Sequence, residues 1–257
     1  MKTSKFSLDH FYIADQKHRI FKKMSEYGFS LDKKVTKHTG KLTCRFILFD
    51  DFVNNRFLYL EYVHTDKGGE KTEIPGLSLR SNVSLKKTIT KIKSKIKSAK
   101  YIHKNYNWIK NDIDNLPGWN FIVFDEILIQ NIYLWFTEYE YSKTHPASNF
   151  KPKKNRHKNS VYSLHGIELQ LTLKAQRKLE VIFGKKLKSV NQMADGKTLY
   201  IRRGRTNQFL HVILNCHSLD IARKWMPKLQ VVNFQNQDAL LIDNKQKIFW
   251  NILIIEN

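Results

Sequence analysis

The sequence predicts an α+β fold built from a repeated unit, and three observations carry that expectation. A strand, a helix closed by a glycine and then further strands occur in that order near the start of the chain and again near its end. Apolar positions alternate with period two in the strand candidates and recur at three and four in the helix candidates. With 257 residues, 41% of them apolar and 12% aromatic, the chain is long enough to bury a sizeable core.

The first unit opens with a β-prone run over 8–13, in which Phe11 and Ile13 share one face and His10 and Tyr12 the other. Asp15 is placed to cap a helix whose apolar residues are Ile20, Met24 and Tyr27, and Gly28 stands where a helix ends in the left-handed region. Strands follow at 43–49 and 56–63, with room for another near Val35. The second unit starts with a strand carrying Ile167, Leu169 and Leu171 on one face. Its helix has the stripe Ala175, Leu179, Ile182 and Phe183 and ends at Gly184. Strands at 198–202 and 209–215, a helical turn at 219–225 and a final pair at 239–242 and 247–255 complete it.

These units suggest three segments: a first module at 1–80, a connection at 81–159, and a second, diverged module at 160–257. Between residues 81 and 110 the connection holds nine lysines and no acid. Leu85, Ile89, Ile92, Ile96 and Ala99 form a helical stripe there, which predicts a helix with one buried seam and a cationic back. A second basic cluster, KPKKNRHK at 151–158, reads as an exposed loop.

Forty-five Lys and Arg against 23 Asp and Glu give a formal net charge of +22. Such a surface attracts polyanions, and a lysine-rich compositional bias is the plain alternative. Lys91, Lys95 and Arg203 are the residues expected to meet a polyanion, with nucleic acid as the partner class. The longest apolar stretch falls short of the ~18–20 residues that span a bilayer. No secretory signal is visible, and two cysteines make neither a disulfide framework nor a C-x-x-C metal pair. The expectation is a soluble cytoplasmic protein, monomeric or homodimeric. Dinucleotide, P-loop, serine-hydrolase and zincin motifs are all absent from the sequence.

Leu8-Asp9-His10-Phe11-Tyr12-Ile13 resembles the first strand of the vicinal oxygen chelate superfamily, in its glyoxalase and bleomycin-resistance branch. The helix ending in Gly28-Phe29, the run from His38 to Phe46, Leu58-Tyr59-Leu60-Glu61-Tyr62 and Ile74-Pro75-Gly76-Leu77-Ser78-Leu79-Arg80 follow in the family's order. Leu42 replaces a glycine of that pattern, and Arg80 comes one residue early. The resemblance is good over 6–80, patchy over 115–170 and weak beyond.

The resemblance implies two paired βαβββ modules forming a curled, barrel-like sheet around a cavity, with an inserted strand and helix connection. It implies a small oxygen-rich ligand and lyase, isomerase or dioxygenase chemistry on a divalent metal, Zn, Fe, Mn or Ni. The metal candidates are His10 and Glu61 in the first module, with Glu168 and Glu256 as formal counterparts in the second. Aligning Gly28 with Gly184 sets His10 on Gly166, so only a two-residue slip brings Glu168 to that place. His38, Arg45, Arg80, Trp108 and Trp135 are the substrate-binding candidates, and Glu138 is the candidate general base. Two alternatives stay open: a polyanion-binding protein using 86–110 and 151–158, and a non-catalytic protein that sequesters a small molecule.

Overall fold

A computed structural model of the chain describes residues 5–33, 35–37, 42–53, 56–65, 74–104, 118–140, 156–243 and 250–257. Helices α1 (Arg19–Met24), α2 (Leu85–Lys93), α3 (Leu173–Phe183) and α4 (Leu219–Trp225) accompany two open sheets. The first sheet has eight strands in the order β2-β3-β4-β1-β5-β8-β7-β6. They are β1 (Phe6–Ala14), β2 (Thr36–Lys37), β3 (Leu42–Val53), β4 (Arg56–Thr65), β5 (Gly76–Ser81), β6 (Ala99–Lys104), β7 (Gly118–Phe124) and β8 (Tyr133–Glu140). The second has seven strands in the order β10-β11-β9-β12-β15-β14-β13. They are β9 (Val161–Leu171), β10 (Val190–Gln192), β11 (Thr198–Arg203), β12 (Gln208–Cys216), β13 (Gln230–Phe234), β14 (Gln237–Ile242) and β15 (Asn251–Glu256).

The expected repeat is present, one copy per sheet. In the first, β1 runs parallel to β4 and antiparallel to β5; in the second, β9 runs parallel to β11 and antiparallel to β12. The repeat also reaches further than the sequence suggested. β5 is followed in the sheet by parallel β8 and then β7 and β6, and β12 is followed in the same way by β15, β14 and β13. The connecting strands of the first half are thus hydrogen-bonded into its sheet, and α4 with β13–β15 takes the same place in the second.

Local chemistry sets the elements where the pattern placed them. The Asp15 carboxylate accepts from the backbone N–H groups of Ile20 and Phe21, satisfying donors that the first turn of α1 leaves open. Gly28 (φ 80°) and Gly184 (φ 65°) follow their helices in the left-handed region. The lysine-rich helix is shorter than its stripe: α2 stops at Lys93, and Ala99 begins β6. Ile96 and Ala99 still pack on the core, but the chain turns between them so that β6 can lie antiparallel to β7.

One continuous core lies between the two sheets. Phe6 meets Phe183 at 5.3 Å and Phe11 meets Phe209 at 5.8 Å between ring centroids. Each half also clamps the other at a β-bulge. The ladder slips at Asp9 in β1 and at His165 in β9, which frees a backbone N–H just before each slip. The Leu8 N–H donates to Asp195 at 3.0 Å, and the Leu164 N–H donates to Asp51 at 2.5 Å. A buried orphan donor costs about 1–3 kcal/mol, so each carboxylate removes a real penalty from the other half.

Candidate functional site

The bulge in β1 turns both Asp9 and His10 to the face of the first sheet that points away from the core. Phe11 and Ile13 stay in the core, as their alternation predicted. Tyr12, Cys44, Val63 and Trp135 are buried on the same outer face, with Phe46, Phe121, Val123 and Tyr133 packed against them.

Asp9 is fully buried and heavily bonded. It accepts from Arg80 through Nη2 at 2.6 Å and Nε at 3.2 Å, from the Tyr139 hydroxyl at 2.6 Å, from Ser78 at 3.3 Å and from the His10 ring at 2.9 Å. Because an ionised carboxylate only accepts, the His10 contact places the ring proton on Nδ1. Nε2 then faces Glu61, whose Oε2 lies 3.5 Å away. The His10 ring stacks on Tyr59 at 4.6 Å and meets the edge of Trp135 at 5.2 Å. The His10 and Glu61 side chains are 9% and 13% exposed, sheltered but open. Burial, with Glu61 beside it, holds the Cys44 thiol well above its ordinary pKa.

The structure therefore brings His10, Glu61, Arg80 and Trp135 together, four side chains the sequence singled out. Arg80 is engaged with Asp9, and its guanidinium lies 5.3 Å from the Tyr139 ring centroid. Arg45 goes to the other face, over the Phe21 ring and bonded to the Lys33 carbonyl. His38 and Trp108 lie outside the described residues. Asp9, Ser78 and Tyr139 were missed as site residues. The signal for Asp9 was its place beside His10, which plain alternation assigns to the opposite face; only the bulge overrides that.

Two carboxylates need correction. Glu138 does not line this face: it accepts from the Leu85 N–H at the start of α2 and from Asn120. Glu256 is not the counterpart of Glu61: it accepts from the Leu219 N–H at the start of α4. They are counterparts of each other, each on the last strand of its half and each meeting the positive end of a helix. Period-two alternation on β8 put Glu138 opposite the aromatic face correctly but could not say which face lines the site.

The second half lacks the pair. Gly166 stands at the place of His10, where any Cβ would come within 2.1 Å of the Thr198 carbonyl oxygen. Tyr200 stands at the place of Glu61, since β9 pairs Glu168 with Tyr200 as β1 pairs Tyr12 with Glu61. Its hydroxyl bonds His165 at 3.0 Å. Glu168 is held by His211 at 2.6 Å and Arg202 at 2.9 Å, and these partners outweigh its burial to lower its pKa. Around them Ile213, Phe234, Leu253 and Ile255 form a separate apolar cluster.

The donor set tests the metal expectation. Two ligands on a tetrahedral ion at about 2.0–2.2 Å stand about 3.4 Å apart, close to the observed 3.5 Å between Nε2 and Oε2. Among the described residues, however, no group of three or more His, Cys, Asp or Glu side chains is arranged to hold a metal ion. Among the described residues, His10 and Glu61 thus supply two of the three protein donors that hold a catalytic zinc.

The expected polyanion residues are dispersed over three elements. The Lys91 ammonium lies near Gly184, at the negative end of α3; Lys95 follows α2; Arg203 is exposed at the end of β11. No described helix is long and apolar enough to cross a bilayer.

No family model matches the sequence, and no curated protein does. Solved structures do match, over nearly the whole chain. A hypothetical protein from Staphylococcus aureus superposes with TM-score 0.60 at 10% identity, covering 98% of this chain and 99% of that one. BphC, a halotolerant catechol dioxygenase, gives 0.57 at 9% identity, covering 99% and 87%. Homoprotocatechuate 2,3-dioxygenase from Brevibacterium fuscum, in complex with 3,4-dihydroxyphenylacetate, gives 0.54 at 10% identity, covering 99% and 81%. The fold is the one these two dioxygenase structures share. At these identities the likeness concerns architecture, and the chemistry rests on the residues above.

Proposed function

We propose that the chain is a glyoxalase-like cavity protein that binds a small oxygen-rich molecule on the outer face of its first sheet. The observation that carries this reading is the arrangement Asp9–His10–Glu61. When the ring is neutral with Nδ1 committed to Asp9, Nε2 and the Glu61 carboxylate are two acceptors 3.5 Å apart, and they call for a donor between them. A ligand hydroxyl supplies that donor. Tyr59 and Trp135 give it an apolar, aromatic wall, which suits a flat ring bearing neighbouring oxygens. Should the ligand proton move to Nε2, Asp9 and Glu61 stabilise the resulting imidazolium, so the same geometry serves binding and proton abstraction.

The test is calorimetric titration with 3,4-dihydroxyphenylacetate and with its monomethyl ether, together with metal analysis of the purified protein. Binding of the diol is expected to weaken at least about tenfold in His10→Ala and in Glu61→Gln, or about 1.4 kcal/mol, and to weaken for the ether. Unchanged affinity in both variants overturns the site. Stoichiometric metal that disappears in His10→Ala would replace the hydroxyl-donor version with a metal-dependent one.

A further inference from the structure

The junction of the two halves holds a groove of 860 Å³ that the first-sheet site does not use. One bank is the outward side of α3, with Leu173, Lys174, Arg177, Lys178 and Val181. The other is formed by the turn after α2, with Ile96 between Lys95 and Lys97, and by Glu126 and Leu128 beyond β7.

Helix α3 is apolar on two sides. Ala175, Leu179, Ile182 and Phe183 face the core, as a surface helix requires. Leu173 and Val181 nevertheless lie on its outward side, 44% and 36% exposed, two turns apart with Arg177 midway. Ile96 and Leu128 complete an apolar floor. Five cations, Lys95, Lys97, Lys174, Arg177 and Lys178, rim it against the single carboxylate of Glu126. Lys178 donates to the Leu128 carbonyl at 3.1 Å, tying one bank to the other.

The chemistry of the groove selects its occupant. A second copy of a chain with net charge +22 meets repulsion at a basic groove. Single-stranded nucleic acid binds by stacking bases on aromatic rings, and none of the groove residues is aromatic. A neutral apolar segment leaves the cations unanswered. We propose that this groove docks an acidic amphipathic helix of a partner protein. Leucine-type side chains of that helix sit between Leu173 and Val181, and its Asp and Glu flanks meet the lysines and Arg177.

The probe is a labelled helical peptide of about 18 residues, long enough to hold a helix, with leucines on one face and glutamates on the others. Controls are a scrambled peptide of identical composition, a short single-stranded oligonucleotide and phosphatidylserine vesicles. Fluorescence anisotropy is expected to show the amphipathic peptide binding at least about tenfold tighter than the scrambled one. Both Leu173→Glu with Val181→Glu and, separately, Arg177→Glu should lower that affinity by a similar factor. Circular dichroism and diol binding at the His10 face should stay unchanged, because these side chains are exposed and remote from that site. Equal binding of the scrambled peptide, or insensitivity to both sets of variants, overturns the proposal. So does tighter binding of the oligonucleotide or vesicles that is lost in the same variants.

Discussion

The two halves share strand order, a bulge in the first strand and an acid-capped helix, yet their outer faces have diverged. In the first half the bulge pair is Asp9-His10, answered by Glu61, Arg80 and Tyr139. In the second it is His165-Gly166, answered by Tyr200, and β15, two strands away, carries Leu253 and Ile255 where β8 of the first half has Trp135 and Thr137. Shared features keep backbone groups satisfied and sheets aligned, whereas side chains on the outer faces are free to change. One half keeps a polar site; the other encloses an apolar cluster.

Removing a partner from the first half's network should have the largest effect. Arg80→Ala leaves the Asp9 carboxylate buried without its cation, a loss of about 3–5 kcal/mol in chemical denaturation. A loss below about 1 kcal/mol would mean the network is solvated after all. The reciprocal clamps come next. Asp51→Ala and Asp195→Ala should each lose about 1–3 kcal/mol by orphaning the Leu164 or Leu8 N–H. Asp51→Ala should be the costlier, because Asp51 also holds Lys197. If only one matters, the clamps are not equivalent. Gly166→Ala should cost a similar ~1–3 kcal/mol by overpacking against Thr198, whereas His10→Gly should disable binding with less harm to folding.

Smaller effects test the helix starts. Glu138→Gln and Glu256→Gln should each lose about 0.3–1 kcal/mol, Glu138 more because it also holds Asn120. The last handle is acidity. Burial lowers the pKa of His157 and His165, and that of His18 to about 4, so in the folded chain these rings stay neutral below the usual 6.5. At these sites the unfolded chain then binds more protons, so their contribution to stability should be level above pH 6.5 and fall as pH drops from there toward 4. His157 joins the halves, accepting from the Ser30 N–H and bonding the Leu48 carbonyl, so His157→Gln should flatten part of that slope. An unchanged slope would place the titration elsewhere.

The sequence by itself determined most elements of the first and last segments and their order. Asp15, Gly28 and Gly184 mark helix ends because capping and left-handed backbone are local chemistry, and Phe11, Ile13, Ile167 and Leu169 mark core faces because alternation is local geometry. It also put His10 and Glu61 on corresponding strands and set Gly166 against His10. Tertiary structure alone decided the rest. Whether Glu138 and Glu256 line a cavity or cap a helix depends on which helix packs beside the last strand. That Asp9 turns toward His10 depends on a bulge whose freed N–H is answered by Asp195, 187 residues away. Such contacts leave no periodic trace, because a residue that satisfies a distant backbone group need only be in the right place once folded.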